Sequence, residues 1–412
     1  MECKMIKREA YLERIRPYYD SQYIKVITGL RRVGKSVLLE QIIAEIRESG
    51  VKESHIIYLD LEGKSGEGLT TRKKLEKRLD ALTREAGKYY IFIDEIQHVR
   101  KFEEAIASIR VSYDCSLFVT GSNSKLLHGK LQDRLTGRAK EFVVMPFTYK
   151  ESIEYKKANG IPIGDEDFDD YIRWGGMPQR YEETSEEGIE EYLQSLYRSV
   201  LEKDVYGNHK RLTRSAFESV AKYAIGNSGK IFSAVSIARF MKGNVDDASI
   251  KSASATINNY ARYLVECFFL QECLPYYLQG KEALKGTKKF YVIDPGLKTA
   301  LAEGVELDDT FTLEGIIYNE LIYRGYKVHY GKMRDGEIDF VASKSKKKCL
   351  IQVAYYINTE KTFHREYGAF EKAKDSSPKY VFSLDRKDTS NHGITHINII
   401  DFLLGKTDIM LS

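Results

Sequence analysis

Eight residues constrain this chain more than any others: Gly29-Leu30-Arg31-Arg32-Val33-Gly34-Lys35-Ser36. They fit the spacing G-x-x-x-x-G-K-[ST] and stand between an apolar strand, YIKVIT (23–28), and a helical stretch, SVLLEQIIAEIRES. The chemistry served by such a strand, loop and helix is the grip of a phosphate chain. The glycines let backbone N–H groups turn inward around the anion. The following helix presents its positive N-terminal end. Lys35 then reaches the terminal phosphates, and the Ser36 hydroxyl ligates Mg²⁺. The candidate nucleotide-binding set is Gly29, Arg31, Arg32, Val33, Gly34, Lys35, Ser36 and Val37. Arg31 and Arg32 either add positive potential or simply face water.

A second motif supports the first. In Ile91-Phe92-Ile93-Asp94-Glu95 an apolar strand ends in two carboxylates. Asp94 is expected to hold the magnesium, usually through water. Glu95 lies where a carboxylate takes a proton from an attacking water. Strand SLFVTG (116–121) runs into Ser122 and Asn123, which either orient the water and feel the γ-phosphate or merely form a loop. Arg138 reaches nucleotide charge in cis or from a neighbouring subunit, or is a solvated surface residue. Further strands at 55–62, 89–95 and 141–146 alternate with helices near 69–86 and 102–112, which predicts a parallel sheet covered on both faces.

With 412 residues the chain has room for two or three domains. Beyond residue 147 the pattern turns helical, interrupted by Trp174-Gly175-Gly176-Met177-Pro178. From about 213 to 290 the order is three helices and then strands at 271–278 and 288–294, which suits a winged helix. From about 312 a helix, three strands, a helix and two strands read as a second α/β domain. The expected boundaries are 1–205, 206–295 and 296–412. Lys plus Arg total 64 against 60 Asp plus Glu, so any nucleic-acid surface must come from local clustering. Five cysteines without a C-x-x-C pair point away from a disulfide framework or zinc site. No stretch has the apolar length of a membrane span, and the start is charged throughout, so a cytoplasmic protein is expected.

The chain resembles AAA-type P-loop ATPases that carry a C-terminal domain of unknown function. The matching segments are IKVITGLRRVGKS, YIFIDEIQ, FVTGSNSKLL, LTGR, YVIDPGL, EGIIYNELIYRGYKV and GEIDFVA. The resemblance implies a P-loop NTPase parallel sheet with a helical lid, in which the SLFVTG strand lies between the phosphate-loop and Asp94 strands. It also implies the glutamate-bearing subclass of these ATPases, which fits Glu95, and ATP with Mg²⁺ as the ligands.

The C-terminal order resembles a restriction-endonuclease-like fold, whose nucleases set a helix glutamate, a strand aspartate and E-x-K around Mg²⁺. Here Glu314 and Glu320 stand on the helix and Asp339 on the strand, but Gln352 and Ala354 occupy the last two positions. An amide is a weaker ligand than a carboxylate for a hard cation, so the domain reads as catalytically degenerate. The leading expectation is an ATPase whose nucleotide state rearranges winged-helix and C-terminal domains that contact DNA or a protein partner. A nucleotide-held switch with negligible turnover and an ATP-coupled nuclease are the alternatives, and a homo-oligomer is compatible with each.

Overall fold

Ile24–Thr28 forms strand β1, and all five of its residues are buried. A strand covered on both faces reads as a continuous apolar run, here with Lys25 as the exception. In this computed structural model, residues 4–124, 137–242, 247–278, 287–301 and 309–412 are described. The chain divides into two compact units, Met1–Met145 with Glu266–Phe268, and Pro146–Val265 with Phe269–Ser412.

The first unit holds a five-stranded sheet: β1, β2 (Ile56–Asp60), β3 (Tyr89–Asp94), β4 (Cys115–Gly121) and β5 (Ala139–Val143), in the order β2-β3-β4-β1-β5. Every neighbouring pair is parallel. β4 therefore does lie between the phosphate-loop strand and the Asp94 strand. The register sets Thr28 beside Gly121 and Asp60 beside Asp94, which gathers the carboxyl ends along one edge. Helices α1 (Glu9–Ile15), α2 (Lys35–Glu48), α3 (Arg72–Leu82) and α4 (Phe102–Ser112) complete the described part of this unit.

The first compact unit ends at Met145. Helices α5 (Tyr149–Ala158), α6 (Asp167–Trp174) and α7 (Glu186–Val200) belong with the second unit. Asp294, nearly 120 residues downstream, explains part of this. Its carboxylate accepts the Gly176 N–H at 2.7 Å and caps α11 (Pro295–Leu301) through the Leu297 N–H at 3.2 Å. The Trp-Gly-Gly turn and the Asp-Pro-Gly turn, separate in the sequence, thus form one buried joint.

Between them come α8 (Arg214–Gly226), β6 (Ile231–Phe232), α9 (Ala234–Lys242), α10 (Asp247–Glu266), β7 (Leu270–Cys273) and β9 (Lys288–Val292). The three strands form an antiparallel sheet in the order β6-β9-β7. The expected strand 271–278 is two strands. β7 stays in this small sheet, whereas β8 (Pro275–Tyr277) leaves it to pair with β10 (Lys327–Lys332). Pro275 cannot donate to a ladder, which favours a switch at this point.

The last sheet has the order β14-β13-β12-β11-β10-β8. β10, β11 (Glu337–Lys344) and β12 (Lys347–Val353) form an antiparallel meander, and β13 (Lys379–Ser383) and β14 (Ile394–Asn398) continue it in parallel. α12 (Asp309–Tyr323) precedes the meander and α13 (Glu360–Ala373) follows it.

Candidate functional site

The site is built at the carboxyl edge of the first sheet. Gly29 has φ +149°, and a Cβ there would lie 2.3 Å from the Val144 carbonyl oxygen. Gly34, at φ +90°, caps α2 with a backbone other residues rarely adopt. The loop is also tied from behind by Arg8, a residue the sequence reading missed. Its buried guanidinium donates to the Val33 carbonyl at 3.3 Å and to the Met145 carbonyl at 3.1 Å. Val33 is fully buried, so only its backbone can serve a ligand. Val37 is half-buried, while Arg32 and Ser36 face outward. Arg31 pairs with Glu62 at 3.3 Å.

Lys35 is 5% exposed, low for an ammonium. Its Nζ donates to the Gly29 and Leu30 carbonyls at 3.3 and 3.2 Å and lies 3.4 Å from Glu95 Oε1. Burial works to raise the Glu95 pKa, but Lys35, Gln97 and Arg31 together outweigh it and hold the carboxyl below its ordinary value. Glu95 is therefore ionised at neutral pH.

Asp94 and Glu95 share one brace. The Thr120 hydroxyl, from β4, donates to Asp94 Oδ1 and accepts the Glu95 N–H at 2.8 Å. The Tyr58 hydroxyl, from β2, donates to Asp94 Oδ2 at 3.0 Å. Gln97 donates to Glu95 Oε2 and to the Ser122 hydroxyl, the latter at 3.3 Å. Ser122 and Asn123 are buried at the end of β4, on the same edge as the loop. Sequence reasoning missed Tyr58, Gln97 and Thr120. Their positions gain meaning only once β2, β3 and β4 lie side by side.

Arg138 does not join this constellation. Its carbonyl accepts the Ile24 N–H at 2.9 Å, at the start of β1, and its side chain is exposed. The loop follows the far end of β1. At roughly 3.3 Å per residue the strand separates them by about 15 Å, which sets Arg138 away from its own loop and is compatible with reach to another copy or with a solvated surface residue.

In the second unit a cavity of about 950 Å³ is lined by Glu314, Glu337, Asp339, Gln352 and Glu366 among others. Lys289, from β9, brings an ammonium 2.6 Å from Glu337. Burial pushes Glu314 well above the carboxylate range and Asp339 to about 7. Gln352 is fully engaged, accepting the Asp339 N–H at 2.7 Å and donating to Glu366 at 3.0 Å. Among the described residues no three acidic, histidine or cysteine side chains are grouped to hold a metal. Also among them, no helix is long and apolar enough to cross a membrane.

Comparison with known proteins agrees with the geometry of the first unit. Residues 21–153 match the family model described as an AAA domain, and residues 165–308 match a domain of unknown function, DUF8612. The second match runs across both expected boundaries near 205 and 295. With the parallel sheet and the loop, the first match supports an AAA-type P-loop ATPase domain, hence nucleotide binding. The chain is 28% identical over 410 residues to an uncharacterized protein of Haemophilus influenzae, covering 98% of this chain and all of that one. It is also 28% identical over 391 residues to an uncharacterized protein of Methanocaldococcus jannaschii, covering 90% of this chain and 82% of that one. Among solved structures, Aeropyrum pernix ORC1 in complex with DNA gives 14% identity and a TM-score of 0.32, covering 73% of this chain and 94% of that one. Pyrobaculum aerophilum Cdc6p gives 9% and 0.30, covering 74% and 96%. Scores this low do not establish a common overall fold.

Proposed function

We propose that the chain binds ATP with Mg²⁺ and hydrolyses it, and that nucleotide state rearranges the second unit to change its contact with DNA or a protein partner. The observation that supports this best is the joint placement of Lys35, Asp94 and Glu95 on one sheet edge beside a loop whose Gly29 admits no side chain. The residues fit the ligands. The Lys35 ammonium now rests on its own loop carbonyls and on Glu95, contacts that terminal phosphates can replace. Ser36 and Asp94 would hold Mg²⁺, which when bound offsets phosphate charge. Glu95, released from Lys35, accepts the proton of the attacking water. Ser122 and Asn123 face the same edge and would orient that water.

The test is phosphate release from ATP with Mg²⁺, alone and with single- or double-stranded DNA. Lys35→Ala should abolish ATP binding. Glu95→Gln should keep binding and lower turnover by a factor of roughly 100 or more. Tight binding with a slow rate unchanged in Glu95→Gln would instead indicate a switch without turnover. The order α8-β6-α9-α10-β7-β9, with β6, β7 and β9 in one small sheet, supports a winged helix, and the α12 to β13 order supports a degenerate restriction-endonuclease-like domain. Cleavage of DNA with Mg²⁺ or Mn²⁺, lost in Asp339→Ala, would overturn the degenerate reading.

A further inference from the structure

Glu95 is anchored through its backbone by Thr120 and has φ +55°, so its main chain has little freedom to adjust. Its carboxylate is held by two side chains. Lys35 approaches Oε1 and Gln97 donates to Oε2. If phosphates draw Lys35 away, Oε1 is freed toward the loop and Gln97 keeps its hold on Oε2. The same Gln97 amide donates to Ser122 at the end of the neighbouring strand. Its carbonyl Oε1 is buried and without a partner among the described residues, so the amide's orientation is set by its two donor contacts.

We propose that Gln97 is a positioning residue for ATP hydrolysis, its amide spanning from the Ser122 hydroxyl to the Glu95 carboxylate and so setting which carboxylate oxygen faces the phosphate loop. The proposal rests on the reading of Glu95 as the proton acceptor of an ATPase. It links the end of β4 to the proton acceptor through Gln97 as well. A glutamate could not substitute, because it would set a second carboxylate against the first.

The test measures phosphate release, with ATP affinity by calorimetry, on the full chain and on Gln97→Ala, Gln97→Glu, Ser122→Ala and the Gln97→Ala/Ser122→Ala double variant. Gln97→Ala should lower kcat by roughly 10- to 100-fold with ATP affinity within about twofold of wild type. Gln97→Glu should lose at least as much. Ser122→Ala should lower kcat by less, again with affinity kept, and the double variant should lose less than the product of the two single losses. A kcat unchanged in Gln97→Ala, a loss matched by a loss of ATP affinity in both Gln97→Ala and Ser122→Ala, or single losses that multiply in full in the double variant, would overturn the role of Gln97 alone. A wild type that binds ATP but releases no phosphate would overturn the ATPase reading and this proposal together. If Gln97→Ala fails to bind ATP, Ser122→Ala decides: a lower kcat with affinity kept supports the bridge and an unchanged kcat overturns it.

Discussion

At Gly29 and Gly34 one residue type answers two different physical demands. A Cβ at Gly29 would meet a backbone oxygen at 2.3 Å, whereas at Gly34 it would meet nothing within 4 Å and only the positive φ resists it. Gly29→Ala is therefore expected to lose about 1–3 kcal/mol through forced backbone movement and to lose ATP binding as the loop shifts. Gly34→Ala should cost about 1–2 kcal/mol and weaken binding less. Thermal melts and ATP titration of the two variants would separate them, and equal effects would contradict the steric account. Thr120 supports both carboxylates, so Thr120→Val leaves Asp94 and the Glu95 N–H each short of a partner. A cost of about 1–3 kcal/mol is expected, with a higher Mg²⁺ concentration needed for half-maximal activity. An unchanged Mg²⁺ requirement would show that the brace is not functional.

At the scale of the element, β1 carries an ammonium in its fully buried run. Lys25 donates to Ser116 at 2.5 Å and lies 4.3 Å above the Phe118 ring. Burial, aided by Lys88, pushes its pKa down to about 7 from 10.5. The folded chain thus binds fewer protons than the unfolded chain between about pH 7 and 10.5, so this group makes stability rise with pH across that window. Lys25→Met removes the desolvation cost. It should be more stable than wild type by about 1–2 kcal/mol at pH 6, with the advantage gone near pH 10.5. Urea unfolding at pH 6, 8 and 10 would check this, and a pH-independent difference would sink it. A second element, the Gly175-Gly176 turn seated on Asp294, fixes helices α6 and α11 to each other. Its carboxyl titrates upward to about 6 chiefly through burial.

For the whole molecule, the position of Arg138 decides how copies could cooperate. An exposed guanidinium on the edge opposite the phosphate loop stands away from its own nucleotide site. If it serves a neighbour's, activity per chain should rise with protein concentration. Arg138→Ala should then lose activity, and mixing it with Lys35→Ala should restore part of it, because each supplies what the other lacks. Phosphate release from the mixture at several ratios would measure this. No gain over the sum of the separate variants would leave Arg138 as a surface residue.

The phosphate loop, the paired carboxylates and the apolar strands that carry them were legible in the sequence because each is local. Spacing, φ preference and strand-to-helix context are contained within a dozen residues. The same local logic located nearly every strand but joined β7 to β8, since a run of strand-forming residues does not show which sheet receives it. Arg8, Tyr58, Gln97 and Thr120 were invisible because a hydrogen bond between distant segments leaves no periodicity. The edge on which Arg138 sits depends on a parallel register, and the seat of the Trp-Gly-Gly turn depends on a carboxylate far along the chain. Local chemistry determined which residues could grip a phosphate, whereas tertiary packing alone decided which side chains hold them in place, because pairing and burial are set by neighbours the chain meets only after it folds.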